Sequence, residues 1–273
     1  MKFSHAIMIR LPEKIKYDNK KMISKVNLTL AKQQLETLTE ILKEAGINVI
    51  ELAPEKKGNC MSLFPDDAAI VIHGTALLTR PKKQGARFEE IASILKELTW
   101  NVVKCDEKEN GHYVILEGSD VLFTGKEIFV GIRKDGTNME GATIVAKTFP
   151  DIPVMPICLP SKLPLKHYFC MVKDGVLSYF KCKDSDIILE RLNREATYRY
   201  QILSLDQDTS SNCLNVNDHL IFRGDVNETK FNVLKLPIEL WGIDVSELIK
   251  IGGSLTRFCL MINKINSKKG ILI

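Results

Sequence analysis

The sequence has no Cys-x-x-Cys pair, no apolar run near the ~20 residues that a membrane span needs, and almost no net charge. Each absence excludes something. The seven cysteines are odd in number and widely scattered. They do not read as a disulfide framework or a structural zinc site, so a reduced, cytoplasmic protein without a cofactor is expected. Thirty-eight Lys and Arg stand against thirty-four Asp and Glu, a net +4 over 273 residues. That is too little to argue for nucleic acid or a membrane as partner. The opening, Met1-Lys-Phe-Ser-His-Ala-Ile-Met-Ile-Arg10, holds four apolar residues before an arginine and does not read as a secretory signal. What is present is a globular composition, 45% hydrophobic and 26% charged, which excludes a disordered chain.

The informative feature is repetition. Four segments read as two short apolar runs joined by a tight turn: Ala68–Leu78 turning at His73-Gly74, Asp120–Val130 near Gly125, Tyr168–Ser178 at Asp174-Gly175, and Asn212–Phe222 at Asn217-Asp218. The turns fall at 74, 125, 175 and 218, steps of 51, 50 and 43 residues. A fifth run, Leu255–Ile262, has no partner after it, but His5–Arg10 at the other end can supply one. Between the hairpins, helical spacing predicts helices over 87–98, 137–149, 185–194 and 227–236, each followed by a short apolar run. Asn27 to Ala45 reads as the longest helix, leading into Val49-Ile-Glu-Leu. The pattern predicts five strand-strand-helix-strand units whose last closes on the first. An open solenoid would leave edge strands at both ends. A generic two-domain α/β protein is the alternative. Lys14 to Val26 reads as a mobile surface loop and residues 266–273 as a tail, leaving 1–265 as one domain.

A closed five-fold ring of such units is the pentein, or amidinotransferase, fold, a five-bladed α/β propeller. Within it the chain resembles the dimethylarginine dimethylaminohydrolase family. The resemblance is carried by Thr75-Ala-Leu-Leu-Thr-Arg-Pro81, Leu116-Glu-Gly-Ser-Asp-Val-Leu-Phe-Thr-Gly125, Phe129-Val-Gly131, Leu163-Pro-Leu-Lys166, Ser254-Leu-Thr256 and Met261-Ile-Asn-Lys264. It implies hydrolysis of a methylated arginine to citrulline and a methylamine. It also implies a Cys nucleophile assisted by a His and an acidic residue, and a pair of carboxylates that grips the guanidinium. The chemistry requires those types: a guanidinium is a planar, cationic, poor electrophile, so it must be held flat and attacked by a thiolate.

Position by position, the resemblance is incomplete. The gripping pattern Phe-x-Glu-Asp reads Phe64-Pro-Asp66-Asp67, with the first acid one methylene shorter. From the residues alone, Asp66-Asp67 could equally be a solvated turn. The family acid in Leu-[Asp/Glu]-Gly-Gly-Asp matches Glu117, with Ser119 in place of a glycine. The His position of Leu-His-Leu-Lys is Pro164, and His167 three residues on would face away along a strand. The Cys position after Leu-Thr is Arg257, which stays protonated and cannot attack. Cys259 follows two residues later, on the same face but roughly 6–7 Å along if this is a strand. One arginine that holds the substrate's carboxylate matches Arg87, whereas the other falls on Asp135 or Gly136, with Arg133 or Lys134 at hand to compensate. An acid before the closing motif falls on Gly252, and one upstream of the gripping pair on Met61.

Two functions follow. In the first, the chain has lost the hydrolysis and keeps an acidic pocket for a small guanidino or amino-acid ligand. Arg257 then sits among Asp66, Asp67 and Glu117 as a built-in guanidinium that neutralises them. In the second, a working hydrolase uses Cys259 and Glu117 as relocated groups. The sequence names no protein partner.

Overall fold

The turn residues decide the hairpins. His73 and Gly74 both have positive φ (49° and 81°), as do Asn217 and Asp218 (47° and 72°). Two successive left-handed residues match the twist of the flanking strands, and these residue types adopt that conformation at low cost. A computed structural model describes residues 2–15, 26–55, 60–82, 87–207, 211–234 and 237–263. In chain order these form β1 (His5–Ile9), α1 (Leu28–Glu44), β2 (Asn48–Leu52), β3 (Ala69–Ile72), β4 (Thr75–Leu78), α2 (Phe88–Leu98) and β5 (Asn101–Lys104). A two-stranded ribbon, β6 (Lys108–Glu109) and β7 (His112–Tyr113), precedes β8 (Val121–Phe123), β9 (Ile128–Ile132), α3 (Met139–Thr148) and β10 (Val154–Cys158). Then come α4 (Leu165–Tyr168), β11 (Phe169–Lys173), β12 (Val176–Phe180), α5 (Lys183–Glu195) and β13 (Gln201–Leu205). The last elements are β14 (Leu214–Val216), β15 (His219–Arg223), β16 (Glu239–Ile243), α6 (Ser246–Lys250) and β17 (Cys259–Ile262).

The strands pair into five three-stranded sheets, β3-β4-β5, β8-β9-β10, β11-β12-β13, β14-β15-β16 and β17-β1-β2. Every sheet has the same grammar. Its first pair is antiparallel and its second parallel, for example Ala69 opposite Leu78 and then Thr75 beside Asn101. A parallel pair needs a crossover, and in four sheets that crossover contains an α-helix. The fifth sheet joins the two ends of the chain: His5 lies opposite Ile262 and Met8 opposite Cys259. The helices bury their apolar stripes on these sheets. In α1, capped by the Asn27 side chain accepting from the Leu30 N–H, these are Ala31, Leu35, Leu38 and Leu42.

Two expectations are corrected. The helix expected over 227–236 is only a 3₁₀ turn, Lys230–Val233. The Glu228 carboxylate collects the backbone N–H groups of Asp206, Gln207 and Lys230, and Pro237 disfavours helical backbone just before it. The strand expected over Leu255–Ile262 begins only at Cys259, because Leu255–Phe258 is a 3₁₀ turn. The loop expected over 14–26 lies outside the described residues except at its two ends, and so does the tail at 266–273. Among the described residues no helix is long and apolar enough to cross a membrane.

Candidate functional site

Four strands, each at the antiparallel edge of its sheet, are entered in the same way. A single tight helical turn runs straight into the strand: Pro65–Asp67 into β3, Gly118–Asp120 into β8, Leu165–Tyr168 into β11 and Leu255–Phe258 into β17. Such turns leave backbone N–H groups and short polar side chains at one end of each sheet. These four turns carry the gripping pair, the family acid, the Pro164 position and Arg257. The turns at 65–67 and 118–120 approach so closely that only a glycine fits between them. A Cβ on Gly118 would lie 1.8 Å from the Asp66 carbonyl oxygen. Ser119, where the family has a glycine, is accommodated in ordinary backbone and donates its N–H to Asp67 Oδ1 at 3.1 Å.

The four carboxylates at these turns are matched by three cations, Arg257, Lys166 and Arg133. Asp67 receives Arg257 Nη2 at 2.5 Å and Nε at 3.2 Å. The same guanidinium donates to the Gly252 carbonyl at 2.8 Å and lies over the Phe64 ring, 4.0 Å from its centroid. Asp66 is held by Lys166 at 2.8 and 3.0 Å. Glu117 is bonded by Arg133 Nη2. Arg133 Nε meanwhile donates to both oxygens of Asp120 at 2.9 Å, and Nη1 to the Lys162 carbonyl at 2.8 Å. Asp120 is fully buried and also accepts from Thr137 Oγ1 at 2.7 Å and the Leu165 N–H at 3.2 Å.

These environments move the ionisations apart. Burial pushes the Asp66 carboxyl up despite Lys166. Burial also raises Glu117 and Asp120, with Arg133 opposing in both. For Asp67 burial pulls upward too, but the Arg257 guanidinium and the Ser119 hydrogen bonds together outweigh it and hold the carboxyl below the usual range. Asp135, at the exposed rim, is lowered to about 2 by Lys82 and Lys162, at 2.7 and 3.2 Å.

Glu117, Pro164 and Arg257 line one cleft of about 450 Å³, with Arg133, Lys82 and Lys162. The structure therefore brings three predicted positions together. Arg257 contacts Asp67 but not Asp66 or Glu117. Asp66 is matched by Lys166 instead, and Glu117 by Arg133, which it shares with Asp120. Arg87 does not reach the cleft: it bonds Glu90 and the Ala53 carbonyl and lines a separate small recess with Phe64 and Asp67. His167 stands edge-on to Tyr168, in a recess beside Asn212 and Arg223. Cys259 is buried and its thiol donates to the Leu255 carbonyl at 3.4 Å, while burial pushes its ionisation far up. It borders another cavity, with Asp66 and Lys166. The sequence reading gave no role to Lys166, Lys82, Lys162 or Thr137. Lys166 alone left a signal, closing the Leu163–Lys166 motif. Among the described residues no group of three or more His, Cys, Asp or Glu could hold a metal ion.

No family model matches the chain. It is 30% identical over 282 residues to the human protein described as "Putative hydrolase DDAH2", covering 95% of this chain and 94% of that one. The Bos taurus protein of the same description is 28% identical over 277 residues, at 95% and 94% coverage. Among solved structures, the Pseudomonas aeruginosa dimethylarginine dimethylaminohydrolase complexed with citrulline superposes with a TM-score of 0.76 at 18% identity. It covers 96% of this chain and 100% of its own. The substrate-bound N-terminal domain of ArgZ, a cyanobacterial arginine dihydrolase, gives 0.75 at 20% identity, with 95% and 98% covered. These structures share the mixed α/β fold seen here. The chain belongs to the dimethylarginine dimethylaminohydrolase family.

Proposed function

We propose that this chain is a family member that has lost the hydrolysis and acts by binding, with its own Arg257 seated in the place made for a substrate guanidinium. The observation that carries the reading is the Arg257 guanidinium, bonded to Asp67 and stacked on Phe64. A carboxylate at its edge and an aromatic ring on its face are what a planar cation needs. Covalent hydrolysis needs a nucleophile and a proton carrier. Arg257 and Pro164 at those positions supply neither. Glu117 alone remains, and its carboxylate is tied to Arg133. Cys259 is a poor substitute, because a thiol buried in apolar surroundings holds its proton.

The same reading extends to the architecture. The five sheets are the blades of one closed pseudo-five-fold ring over residues 1–265, with 266–273 a tail. Their common strand order, and a last sheet drawn from both ends of the chain, support it. A small guanidino or amino-acid ligand is the class that the Phe64-Pro-Asp66-Asp67 turn would take where Arg257 is displaced, whereas Arg87, tied to Glu90 outside the cleft, is not placed to hold it. The relatives' bound citrulline and substrate support that class. Seven scattered cysteines without a Cys-x-x-Cys pair suit a cytoplasmic setting.

Purified protein incubated with asymmetric dimethylarginine is expected to release no citrulline above background. A Cys259→Ala variant assayed beside it should be indistinguishable. Clear release that disappears in Cys259→Ala would overturn the reading and identify a hydrolase with a relocated nucleophile.

A further inference from the structure

Outside the cleft, two buried thiols face each other across neighbouring sheets. Cys170 lies in β11 and Cys213 immediately precedes β14, and these strands pack side by side. Both residues are 2% exposed. Both residues line one cavity between these strands. Around the pair, Asn212 Nδ2 lies 3.7 Å from Cys170 Sγ and Ser178 Oγ 3.8 Å from Cys213 Sγ. Ser178 also donates to the Cys170 carbonyl at 3.3 Å and the Ser211 carbonyl at 2.9 Å, tying the two backbones together.

We propose that Cys170 and Cys213 are a peroxide-oxidisable dithiol, a modification site that passes between two free thiols and one intramolecular disulfide. Two thiols that line one cavity from adjacent packed strands, with Ser178 touching both residues, are placed for side-chain rotation to bring them to the ~2.0 Å of an S–S bond. Both line a cavity of about 120 Å³, several times the ~30 Å³ that a water molecule occupies, so a peroxide fits beside them. The two thiols are also unequal. Cys170 Sγ has the Asn212 Nδ2 donor at 3.7 Å to stabilise a thiolate, and its ionisation is lowered beside Cys213, whereas burial raises that of Cys213. Cys170 is the attacking group.

The chemistry balances with hydrogen peroxide as oxidant. The Cys170 thiolate attacks one peroxide oxygen; an S–O bond forms, the O–O bond breaks, and the departing hydroxide takes a proton to become water. The Cys213 sulfur then attacks the sulfenic sulfur; the S–S bond forms, the S–O bond breaks, and a second water leaves with the thiol proton. Two thiols have lost two electrons and two protons to one peroxide. A thiol such as glutathione reverses the step. In a reducing compartment, such a disulfide serves as a transient signal rather than a staple.

Its position gives it something to act on. Asn212, next to Cys213, donates to the Lys166 carbonyl at 2.8 Å and to Thr256 Oγ1 at 2.9 Å, and accepts the Thr256 N–H at 3.0 Å. Lys166 holds Asp66, and Thr256 precedes Arg257. Closing the disulfide pulls on the clamp that joins these two turns. The inference is independent of whether the cleft hydrolyses anything.

The test is peptide mapping of the full-length protein. Native protein is treated with hydrogen peroxide, denatured with iodoacetamide present, and digested without reduction. A peptide linking Cys170 to Cys213 is expected, with an intact mass lower by two hydrogens and restored by glutathione. Cys170→Ser should abolish the linked peptide and leave Cys213 alkylated. Alkylation of both residues in peroxide-treated wild type would overturn the proposal. So would the same loss of two hydrogens persisting in Cys170→Ser.

Discussion

Arg133→Ala is expected to lower the stability of the fold by about 3–5 kcal/mol at neutral pH. The reason is the number of charges that it strands. Arg133 bonds Glu117 and Asp120 together, and the Arg133 and Glu117 side chains are each 9% exposed while Asp120 has no exposure at all. Removing the guanidinium leaves two buried carboxylates facing each other, and each would lose its main compensation against desolvation. Thr137 and the Leu165 N–H still bond Asp120, so the structure is weakened rather than abolished.

The pH dependence has a definite sign. Both carboxyls already titrate above their ordinary values in the folded protein, through burial. A raised carboxyl binds its proton more tightly in the folded state than in the unfolded one. Its contribution to stability therefore falls as pH rises through the window between the two values. Without Arg133 the values rise further and the window widens upward. Urea unfolding of wild type and variant should show the deficit largest near neutrality and shrinking toward mild acid. A second variant, Arg133→Ala with Glu117→Gln, should recover part of the loss. A deficit that is flat with pH would show that packing, not charge, dominates at Arg133.

What the sequence could disclose, and what it could not, divides by range. Hairpins are written locally: Gly and Asn pairs adopt positive φ, and His73-Gly74 and Asn217-Asp218 turn where their types predict. The longest helix is legible from its Asn27 cap and apolar spacing. The pairing of β1 with β17 is legible by elimination, since each run lacked a local partner. The one-turn helices entering β3, β8, β11 and β17 carry no such signal. Three or four residues have no periodicity, and an apolar run such as Leu255–Ile262 reads as strand throughout. That error moved Cys259 onto the wrong geometry. The charge pairing was least legible of all. Asp66 is 100 residues from Lys166, Asp67 is 190 from Arg257, and Arg133 belongs to a turn in which the loss of an arginine was the conspicuous feature. Nothing local says which cation meets which carboxylate. Only the convergence of four turns decides it.

Arg257→Ala is expected to cost about 3 kcal/mol at neutral pH, and the loss should be recoverable by a guanidinium supplied from solution. In the wild type, Arg257 holds Asp67 below the ordinary carboxyl value, so the pair contributes stability at neutral pH and loses it as pH falls through the folded value. In the variant desolvation, which raises that buried carboxyl and is its largest single influence, is opposed only by the Ser119 hydrogen bonds. The sign reverses: the variant gains stability as pH falls, because the unpaired carboxylate takes up a proton. The vacated space is bounded by the Asp67 carboxylate, the Phe64 ring and the Gly252 carbonyl, three groups that now bind the Arg257 guanidinium. Asymmetric dimethylarginine carries the same planar cation. At a hundred times its Kd it would return about 2.7 kcal/mol to the variant, visible as a rise in Tm. Wild type, with its own guanidinium in place, should show a much smaller rise. Equal stabilisation of both proteins would mean that the ligand binds elsewhere and that Arg257 fills no substrate seat. A variant that binds but releases no citrulline would separate recognition of the guanidinium from its hydrolysis. It would leave recognition of the guanidinium intact in Phe64 and Asp67, and assign the missing chemistry to the Pro164 and Arg257 positions.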